Sequence, residues 1–225
     1  MKKRLIVITD CAYLLPLHDP DDALALFYLL THPDIEIQAI VTTFGNTSES
    51  QAFRCVTTIM ENLHKDVRIL HGPKNRHEKT EASNTVKTVY EILNKNPGKI
   101  LMLSLGPLTF INQLLNYENN SKRLWRDLVI IGGLGKSKHL LYPLVKEEFN
   151  LRSDPYSFNN VVNNSKPIMV TVEDCDKEIF GLEDIRQIPS WLKPSLYLWY
   201  FLNLCIGKKG FSPYDLTAIK VLVKP

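Results

Sequence analysis

The strongest constraint on the fold is a repeated alternation of short, β-rich apolar runs with longer amphipathic segments. Six runs predict strands: Arg4–Ile8, Ile35–Thr42, Val67–Leu70, Lys99–Leu103, Leu128–Ile131 and Pro167–Thr171. The intervening segments have helical spacing and the length of crossover connections: Asp21–Leu30, Glu49–Leu63, Ser83–Leu93, Leu108–Asn116 and Pro155–Val162. Strands that alternate with helices are typical of a parallel sheet covered on both faces. The sequence therefore predicts one α/β domain over residues 1–225, with a mostly parallel central sheet.

The last quarter of the chain leaves this alternation. After Val172 the apolar residues follow helical spacing in Leu182–Ile188, Leu196–Ile206 and Leu216–Val223. Aromatic side chains concentrate in the same region, at Trp191, Tyr197, Trp199, Tyr200 and Phe201. Aromatic clusters are more often core or subunit contacts than base-stacking platforms. We expect a helical C-terminal part and consider a homo-oligomer.

Composition and charge argue against several classes of protein. The 225 residues include 27 Lys and Arg against 24 Asp and Glu, a formal net charge of +3, and 44% are hydrophobic. This balance argues against disorder and against a nucleic-acid partner. The apolar runs Ile100–Leu105 and Ser195–Ile206 are too short or too interrupted to span a bilayer, and the N-terminus does not resemble a signal peptide. We expect no membrane association.

Cysteine spacing favours reduced thiols. The four cysteines are far apart and form no Cys-x-x-Cys pair: Cys11, Cys55, Cys175 and Cys205. Neither a disulfide framework nor a zinc site has this spacing. A cytoplasmic location is the expectation.

Acidic residues gather where a parallel sheet would place a binding site. The first strand runs into Asp10, and Asp19, Asp21 and Asp22 surround the start of the first helix. A helix amino end favours negative charge, but capping needs only one of these carboxylates. Ligands of wound sheets bind at the carboxyl ends of strands, and Ca²⁺ or Mg²⁺ prefers oxygen ligands. The pattern favours a hard cation, with capping and a solvated acidic face as the alternative.

An ordered set of short motifs resembles the inosine-uridine preferring nucleoside hydrolase family over nearly the whole chain. The motifs are Thr9-Asp10, Asp19-Pro20-Asp21-Asp22, Val41-Thr42-Thr43-Phe44-Gly45-Asn46-Thr47, Leu105-Gly106-Pro107-Leu108-Thr109, Ile131-Gly132-Gly133, Glu148-Phe149-Asn150 with Asp154-Pro155, and Tyr214-Asp215-Leu216-Thr217-Ala218. Each motif alone is weak, but their shared order is specific. The resemblance implies a Ca²⁺ ion at the carboxyl edge of the sheet and a small-molecule nucleoside as substrate. Its N-glycosidic bond would be hydrolysed to free base and ribose.

The resemblance also implies roles for individual residues. The metal ligands would be the carboxylates of Asp10, Asp22 and Asp215 and the carbonyl of Leu105, with Asp10 also the general base toward the Ca²⁺-bound water. The substrate contacts would be Asp21, Asn150 and Asp215 on the ribose, Glu148 at the 5′ end of the sugar, and Asn46 as an active-site amide near the ribose. Carboxylates suit this chemistry because breaking the ribosyl C–N bond builds positive charge on the sugar.

The chain departs from the family pattern around the first strand. Ile8 stands where the family usually has a second aspartate, so this support for the site is missing. The loop Cys11–His18 is longer than the family's turn and has no glycine. If this loop keeps Asp10 from the metal, Asp19 is a substitute ligand.

The leaving-group acid and the base pocket differ as well. Tyr214 occupies the place of a histidine that protonates the leaving base, and a tyrosine, with a pKa near 10, is a weaker acid than imidazolium. His18 in the long loop is a second candidate for this acid. Four other histidines are expected to have no functional role: His64, His71, His77 and His139. The chain ends about ten residues after Asp215, whereas the family continues, so we expect either a minimal member or an incomplete base pocket.

Three hypotheses follow. The leading one is a Ca²⁺-dependent nucleoside hydrolase in which Asp10 activates water and Tyr214 faces the leaving base. The second is a catalytically weakened relative that binds a nucleoside or ribosyl ligand without efficient turnover, because of Ile8, Tyr214, the long first loop and the short C-terminus. The third is a structural or interaction protein whose acids only cap helices.

Overall fold

Six strands form one sheet through the middle of the described chain. The computed structural model describes residues 2–78, 84–117, 124–133, 148–175 and 177–223. The strands are β1 (Lys3–Thr9), β2 (Ile35–Thr42), β3 (Ile69–His71), β4 (Ile100–Ser104), β5 (Leu128–Ile131) and β6 (Ile168–Val170). Their order is β3-β2-β1-β4-β5-β6, and each neighbouring pair is parallel. The predicted fold class is confirmed.

Ten helices accompany the strands within the described ranges. They are α1 (Asp21–Thr31), α2 (Glu49–Leu63), α3 (Asn84–Asn94), α4 (Thr109–Asn116), α5 (Phe149–Ser153), α6 (Pro155–Ser165), α7 (Val172–Cys175), α8 (Leu182–Gln187), α9 (Lys193–Cys205) and α10 (Tyr214–Val223). Because β1 lies between β2 and β4, it is a central strand, and the order of strands reverses beside it. A reversal of this kind opens a crevice at the carboxyl ends of the strands.

Strand β1 separates two apolar cores. Leu5 and Val7 join one buried cluster with residues of α1, α2, α9 and α10, whereas Ile6 and Ile8 join a second cluster with residues of α3, α4 and α6. This alternation follows from the two-residue period of a strand. Ile8, which replaces the family's second aspartate, is fully buried in the second cluster. Its side chain belongs to the packing of the sheet.

The predicted elements agree with the structure apart from their ends. Strand β3 begins at Ile69, two residues after the prediction, and helix ends differ by similar amounts, as is usual where ladders and last turns fray. Helix α9 begins at Lys193, because Pro194 occupies its first turn and favours a helix start there. His139, one of the histidines expected to have no functional role, lies outside the described residues.

The C-terminal aromatic residues divide between core and surface. Trp191 packs edge-on against Tyr13, with ring centroids 5.5 Å apart, and Trp199 and Tyr200 pack against the first core cluster. Phe201 is 60% exposed. The expected core role therefore holds for part of the group. In the described ranges, no helix is long and apolar enough to cross a bilayer.

Helix α2 ends on a residue in a strained conformation, which gives a stability prediction. His64 adopts φ +50°, in the left-handed region that glycine enters without cost. We expect His64→Gly to raise the free energy of unfolding by about 0.5–1 kcal/mol, measured by urea denaturation. Glu61→Gly, within the last turn of the same helix, is the control and should lower it by a similar amount. A loss of stability in His64→Gly would contradict the prediction.

Candidate active site

The carboxylate of Asp10 lies in a narrow cradle of backbone. Asp10 directly follows β1 and is 3% exposed. A Cβ atom on Gly45 would lie 1.9 Å from its Oδ2, and one on Gly106 would lie 2.9 Å from its Oδ1. The backbone N–H of Asn46 donates to Oδ2 at 2.5 Å. Glycines after β2 and β4 therefore let two loops close on one carboxylate.

The cradle gives a prediction for Gly45→Ala. The added methyl would overlap Oδ2 of Asp10, and φ at this position is +154°, so the carboxylate or the loop must move. In an assay for the nucleoside hydrolysis that the sequence resemblance implies, we expect the folded variant to lose roughly 100-fold in kcat/KM. Gly98→Ala is the matched control, because its φ is +68° and a Cβ there meets no atom within 4 Å. Activity of Gly45→Ala equal to that of Gly98→Ala would contradict the cradle's importance.

Two of the three acids at the start of α1 bind other elements instead of capping the helix. The N-cap residue Pro20 provides no side-chain cap. Asp22 accepts a hydrogen bond from the hydroxyl of Thr9 at the end of β1. Asp21 Oδ2 accepts from the backbone N–H of Asp215 at 2.8 Å, while Asp21 Oδ1 is buried with no hydrogen-bond partner. Only Asp19 caps locally, accepting from the Asp21 N–H at 3.1 Å. Capping therefore does not account for Asp21 and Asp22.

Helix α10 brings the last predicted pair to the same place. Tyr214 and Asp215 are its first two residues, and Asp215 is 6% exposed. The hydrogen bond from Asp215 to Asp21 joins the starts of α10 and α1. Two helix amino ends meet here, and both favour the negative charge that the aspartates carry.

Helix α5 supplies Glu148 and Asn150 from the far side. Both oxygens of Glu148 cap α5, accepting from the N–H groups of Asn150 and Leu151 at 2.9 Å each. Burial raises the pKa of Glu148, which is 6% exposed. Asn150 donates its side-chain amide to the carbonyl of Leu105 at 2.8 Å. A carbonyl has two lone pairs, so Leu105 retains acceptor capacity for a ligand.

Burial, together with repulsion between neighbouring aspartates at most of these positions, raises the pKa values of the carboxylates. Burial and then repulsion by Asp22 raise the pKa of Asp10 well above its usual range, and burial followed by neighbouring aspartates does the same for Asp21 and Asp215. Burial raises the pKa of Asp19 to about 7 and that of Asp22 to about 6. Ionised together, these groups repel one another in a poorly hydrated site. The site therefore favours a proton or a cation.

All predicted site residues line one open cavity of about 290 Å³. They are Asp10, Asp21, Asp22, Asn46, Leu105, Glu148, Asn150, Tyr214 and Asp215. Asp19, the substitute ligand, lines it too. Residues from six separate parts of the sequence thus share one space at the carboxyl edge of the sheet. Their individual roles remain predictions.

The long first loop does not keep Asp10 away from the other acids. Tyr13 anchors it, with the hydroxyl donating to the carbonyl of Trp191 at 2.7 Å. In place of glycines, Leu14 and Leu17 take left-handed conformations at φ +63°. His18 lines an adjoining cavity of about 170 Å³ and contacts the carbonyl of Pro16 through Nδ1 at 2.9 Å.

Sequence reasoning missed the apolar side of the cavity. Leu17, Ile131, Phe149 and Trp199 complete its lining. Phe149 and Ile131 belonged to recognised motifs and were identifiable there, whereas Leu17 and Trp199 are joined only by the folding of the loop onto α9. The cradle around Asp10 could have been found from the glycines in the loops that follow β2 and β4.

Comparison with known proteins identifies the family. The sequence profile of the inosine-uridine preferring nucleoside hydrolases matches residues 7–225. The chain belongs to this family. The match includes every residue that lines the cavity.

Individual relatives are distant. The chain is 25% identical over 194 residues to a pyrimidine-specific ribonucleoside hydrolase of Enterobacter sp. strain 638, covering 74% of this chain and 59% of that protein. It is 24% identical over 196 residues to uridine nucleosidase 1 of Arabidopsis thaliana, covering 75% and 55%. The chain thus spans less than two thirds of the length of these two nucleoside hydrolases.

A solved nucleoside hydrolase shares the fold. The purine-preferring ribonucleoside hydrolase from Gardnerella vaginalis superposes with a TM-score of 0.84 at 18% identity, covering 99% of this chain and 80% of that one. The pyrimidine-specific and purine-preferring relatives show that the family's fold serves more than one base class.

Proposed function

We propose that the chain hydrolyses the N-glycosidic bond of ribonucleosides, releasing free base and ribose, with Ca²⁺ as cofactor. Membership of the nucleoside hydrolase family supports the reaction class. The observation that carries the proposal is the convergence of Asp10, Asp21, Asp22 and Asp215 on one cavity together with Asn46. Helix capping does not require this arrangement, whereas a cationic transition state does.

The donor set fits a hard cation. The proposed ligands are the carboxylates of Asp10, Asp22 and Asp215 and the carbonyl of Leu105, all of them oxygens, as Ca²⁺ prefers. Mutual repulsion among the three carboxylates is relieved by a divalent ion. Among the described side chains, no three Asp, Glu, His or Cys residues already stand in a complete metal-site arrangement.

Asp10 is proposed as the general base. In the reaction a water oxygen bonds to C1′ while the C1′–N bond breaks; the electron pair of this bond goes to the nucleobase nitrogen, which takes up a proton as the free nucleobase leaves. The Asp10 carboxylate takes the proton of this water. The Asn46 N–H, which donates to Oδ2, holds this carboxylate in place. When bound, Ca²⁺ would acidify the attacking water and offset the negative charge of the site.

The other polar residues are proposed to hold the sugar. Asp21 has a buried oxygen, Oδ1, without a hydrogen-bond partner, which suits a ribose hydroxyl as donor. Asn150 and Asp215 would bind further hydroxyls, and Glu148 the 5′ end. Carboxylates around the ring stabilise the positive charge that develops as the C–N bond breaks, so remote contacts orient C1′ for attack.

Tyr214 is proposed to face the leaving base. It lines the cavity beside Asp215, and its hydroxyl is a hydrogen-bond donor toward a base nitrogen. The apolar residues Leu17, Phe149 and Trp199 line the same cavity and suit a flat base.

The direct test is hydrolysis by the purified protein. It is incubated with purine and pyrimidine nucleosides, with Ca²⁺ or with chelator, and reducing sugar is measured. We expect sugar release that requires Ca²⁺. Sugar release that is unchanged in chelator would contradict the cofactor, and no release from any nucleoside would contradict the activity.

Binding without efficient turnover is the second candidate. Two observations favour it. Ile8, at the place of the family's second aspartate, is buried in the core. Tyr214 is a weaker acid than the histidine that it replaces. In that case a ribose analogue would bind in the presence of Ca²⁺, measured by calorimetry, although no nucleoside releases sugar.

A further inference from the structure

A second polar cluster lies outside the cavity, centred on Glu49. This residue opens α2, and its side chain is 1% exposed. Its Oε1 accepts a hydrogen bond from the hydroxyl of Thr42 at 2.7 Å and lies 2.8 Å from Nδ1 of His71. Burying a carboxylate destabilises the folded state unless the carboxylate is hydrogen-bonded, so these two contacts determine the position of the Glu49 side chain.

The cluster joins the two ends of the loop that carries Gly45 and Asn46. Thr42 is the last residue of β2 and Glu49 the first residue of α2, so their hydrogen bond spans residues 43–48. His71 ends the neighbouring strand β3, and its ring stacks on Phe53 of α2 with centroids 3.9 Å apart. The carboxylate is therefore held from β2 and from β3.

The loop closed in this way brings Asn46 to the acidic cavity. Its N–H reaches Asp10 Oδ2 at 2.5 Å, and its side-chain amide donates to the carbonyl of Asp19 at 2.9 Å. Within the loop, the Gly45 N–H donates to the Thr47 carbonyl at 2.9 Å, and the N–H groups of Thr43 and Phe44 donate to the carbonyls of Thr9 and Pro73 outside it. Because Gly45 gives the loop backbone additional conformational freedom, the direction of the Asn46 N–H depends on how the ends of the loop are held.

We propose that Glu49, assisted by His71, is a positioning residue that sets loop 43–48 so that the Asn46 N–H meets the Asp10 carboxylate. Glu49 acts through Asn46 and touches no substrate. The effect on turnover rests on the proposed function, whereas the effect on the Asn46 hydrogen bond does not. The two are separable by experiment.

The test uses the backbone amide of Asn46 in ¹⁵N-labelled full-length protein without substrate. A short bond to a carboxylate moves an amide proton resonance downfield and slows its exchange. In Glu49→Ala we expect the Asn46 resonance to move upfield and its exchange to be roughly tenfold faster or more. Glu49→Gln retains an acceptor for Thr42 and should leave the resonance near its original position.

Val56→Ala is the control for a merely structural effect. Val56 lies in the same helix, is fully buried, and belongs to the core away from the cluster. It should lower stability without moving the Asn46 resonance. If Glu49→Ala does not fold, His71→Ala replaces it, because the His71 side chain is 61% exposed, and the same upfield movement is expected.

Turnover provides the second readout. We expect kcat to fall roughly 10- to 100-fold in Glu49→Ala and to stay within about twofold in Glu49→Gln. An unchanged Asn46 resonance in the folded alanine variant would overturn the proposal, as would an equal movement in Val56→Ala. If no variant, including the original protein, releases sugar, the proposed function fails while the amide measurement still decides the role of Glu49.

Discussion

Asp10→Asn should abolish the proposed nucleoside hydrolysis while leaving the protein folded. The substitution keeps the shape of the side chain in its glycine cradle but removes both the proton acceptor and the negative charge of the proposed calcium ligand. Loss of a general base and of a metal ligand together is expected to lower kcat/KM by roughly 10³-fold or more. Reducing-sugar release at saturating Ca²⁺ measures the effect.

The stability of Asp10→Asn should not fall, in contrast to its activity. Burial and repulsion by Asp22 raise the pKa of Asp10, so its ionised form disfavours the folded state when no cation is bound. In chelator at pH 8, Asp10→Asn should melt at the same temperature as the original protein or higher. Asp34→Asn, at an exposed position, is the control and should change neither property. Retained activity in Asp10→Asn would exclude it as the base.

Calcium should stabilise the protein most at alkaline pH. A carboxyl group whose pKa is higher in the folded state favours folding while it stays protonated, and this advantage is lost as the pH rises through the folded pKa. Asp22, at about 6, and Asp19, at about 7, place much of this loss between pH 4 and 7. In chelator, the melting temperature should therefore fall as the pH is raised from 5 to 8.

As the proposed cofactor, Ca²⁺ would compete with the proton for the carboxylates of its proposed ligands, among them Asp22. At a hundred times its Kd, we expect the ion to raise the melting temperature by about 5–10 °C at pH 8, and by less at pH 5. Differential scanning fluorimetry measures both series. Asp22→Asn should lose most of the calcium effect, whereas Asp127→Asn, a half-exposed aspartate paired with Arg126, should keep it. An equal calcium effect at pH 5 and pH 8 would contradict the proposed ligands.

The fold was predictable because its signals are local. The strand β1 and helix α2 could be recognised from apolar spacing within their own residues, and Pro155 after Asp154 marked the start of α6. Such periodicities reflect the faces that each element buries, so they can be read without knowing the partner element. Because these local patterns mark the buried face of an element and not its last residue, the errors of prediction occurred at the ends of elements.

The site was predictable only in part, since its contacts join distant residues. The resemblance supplied the members of the acidic cavity, but no local pattern shows that Asp21 accepts from Asp215, 194 positions away. The pairing of Glu49 with His71 was equally hidden, because a histidine at a strand end has many uses. Physical contacts of this kind depend on strand order and helix docking, which spacing alone does not determine.

The hydrogen bond between the starts of α1 and α10 has a consequence for biosynthesis. Asp21 leaves the ribosome early and Asp215 almost two hundred residues later, so a nascent chain carries one half of the acidic site long before the other. Until α10 docks, the cavity lacks Tyr214 and Asp215, and the early aspartates face an open surface. Tight binding of the proposed ligand or cation would therefore report that α10 has been synthesised and has docked.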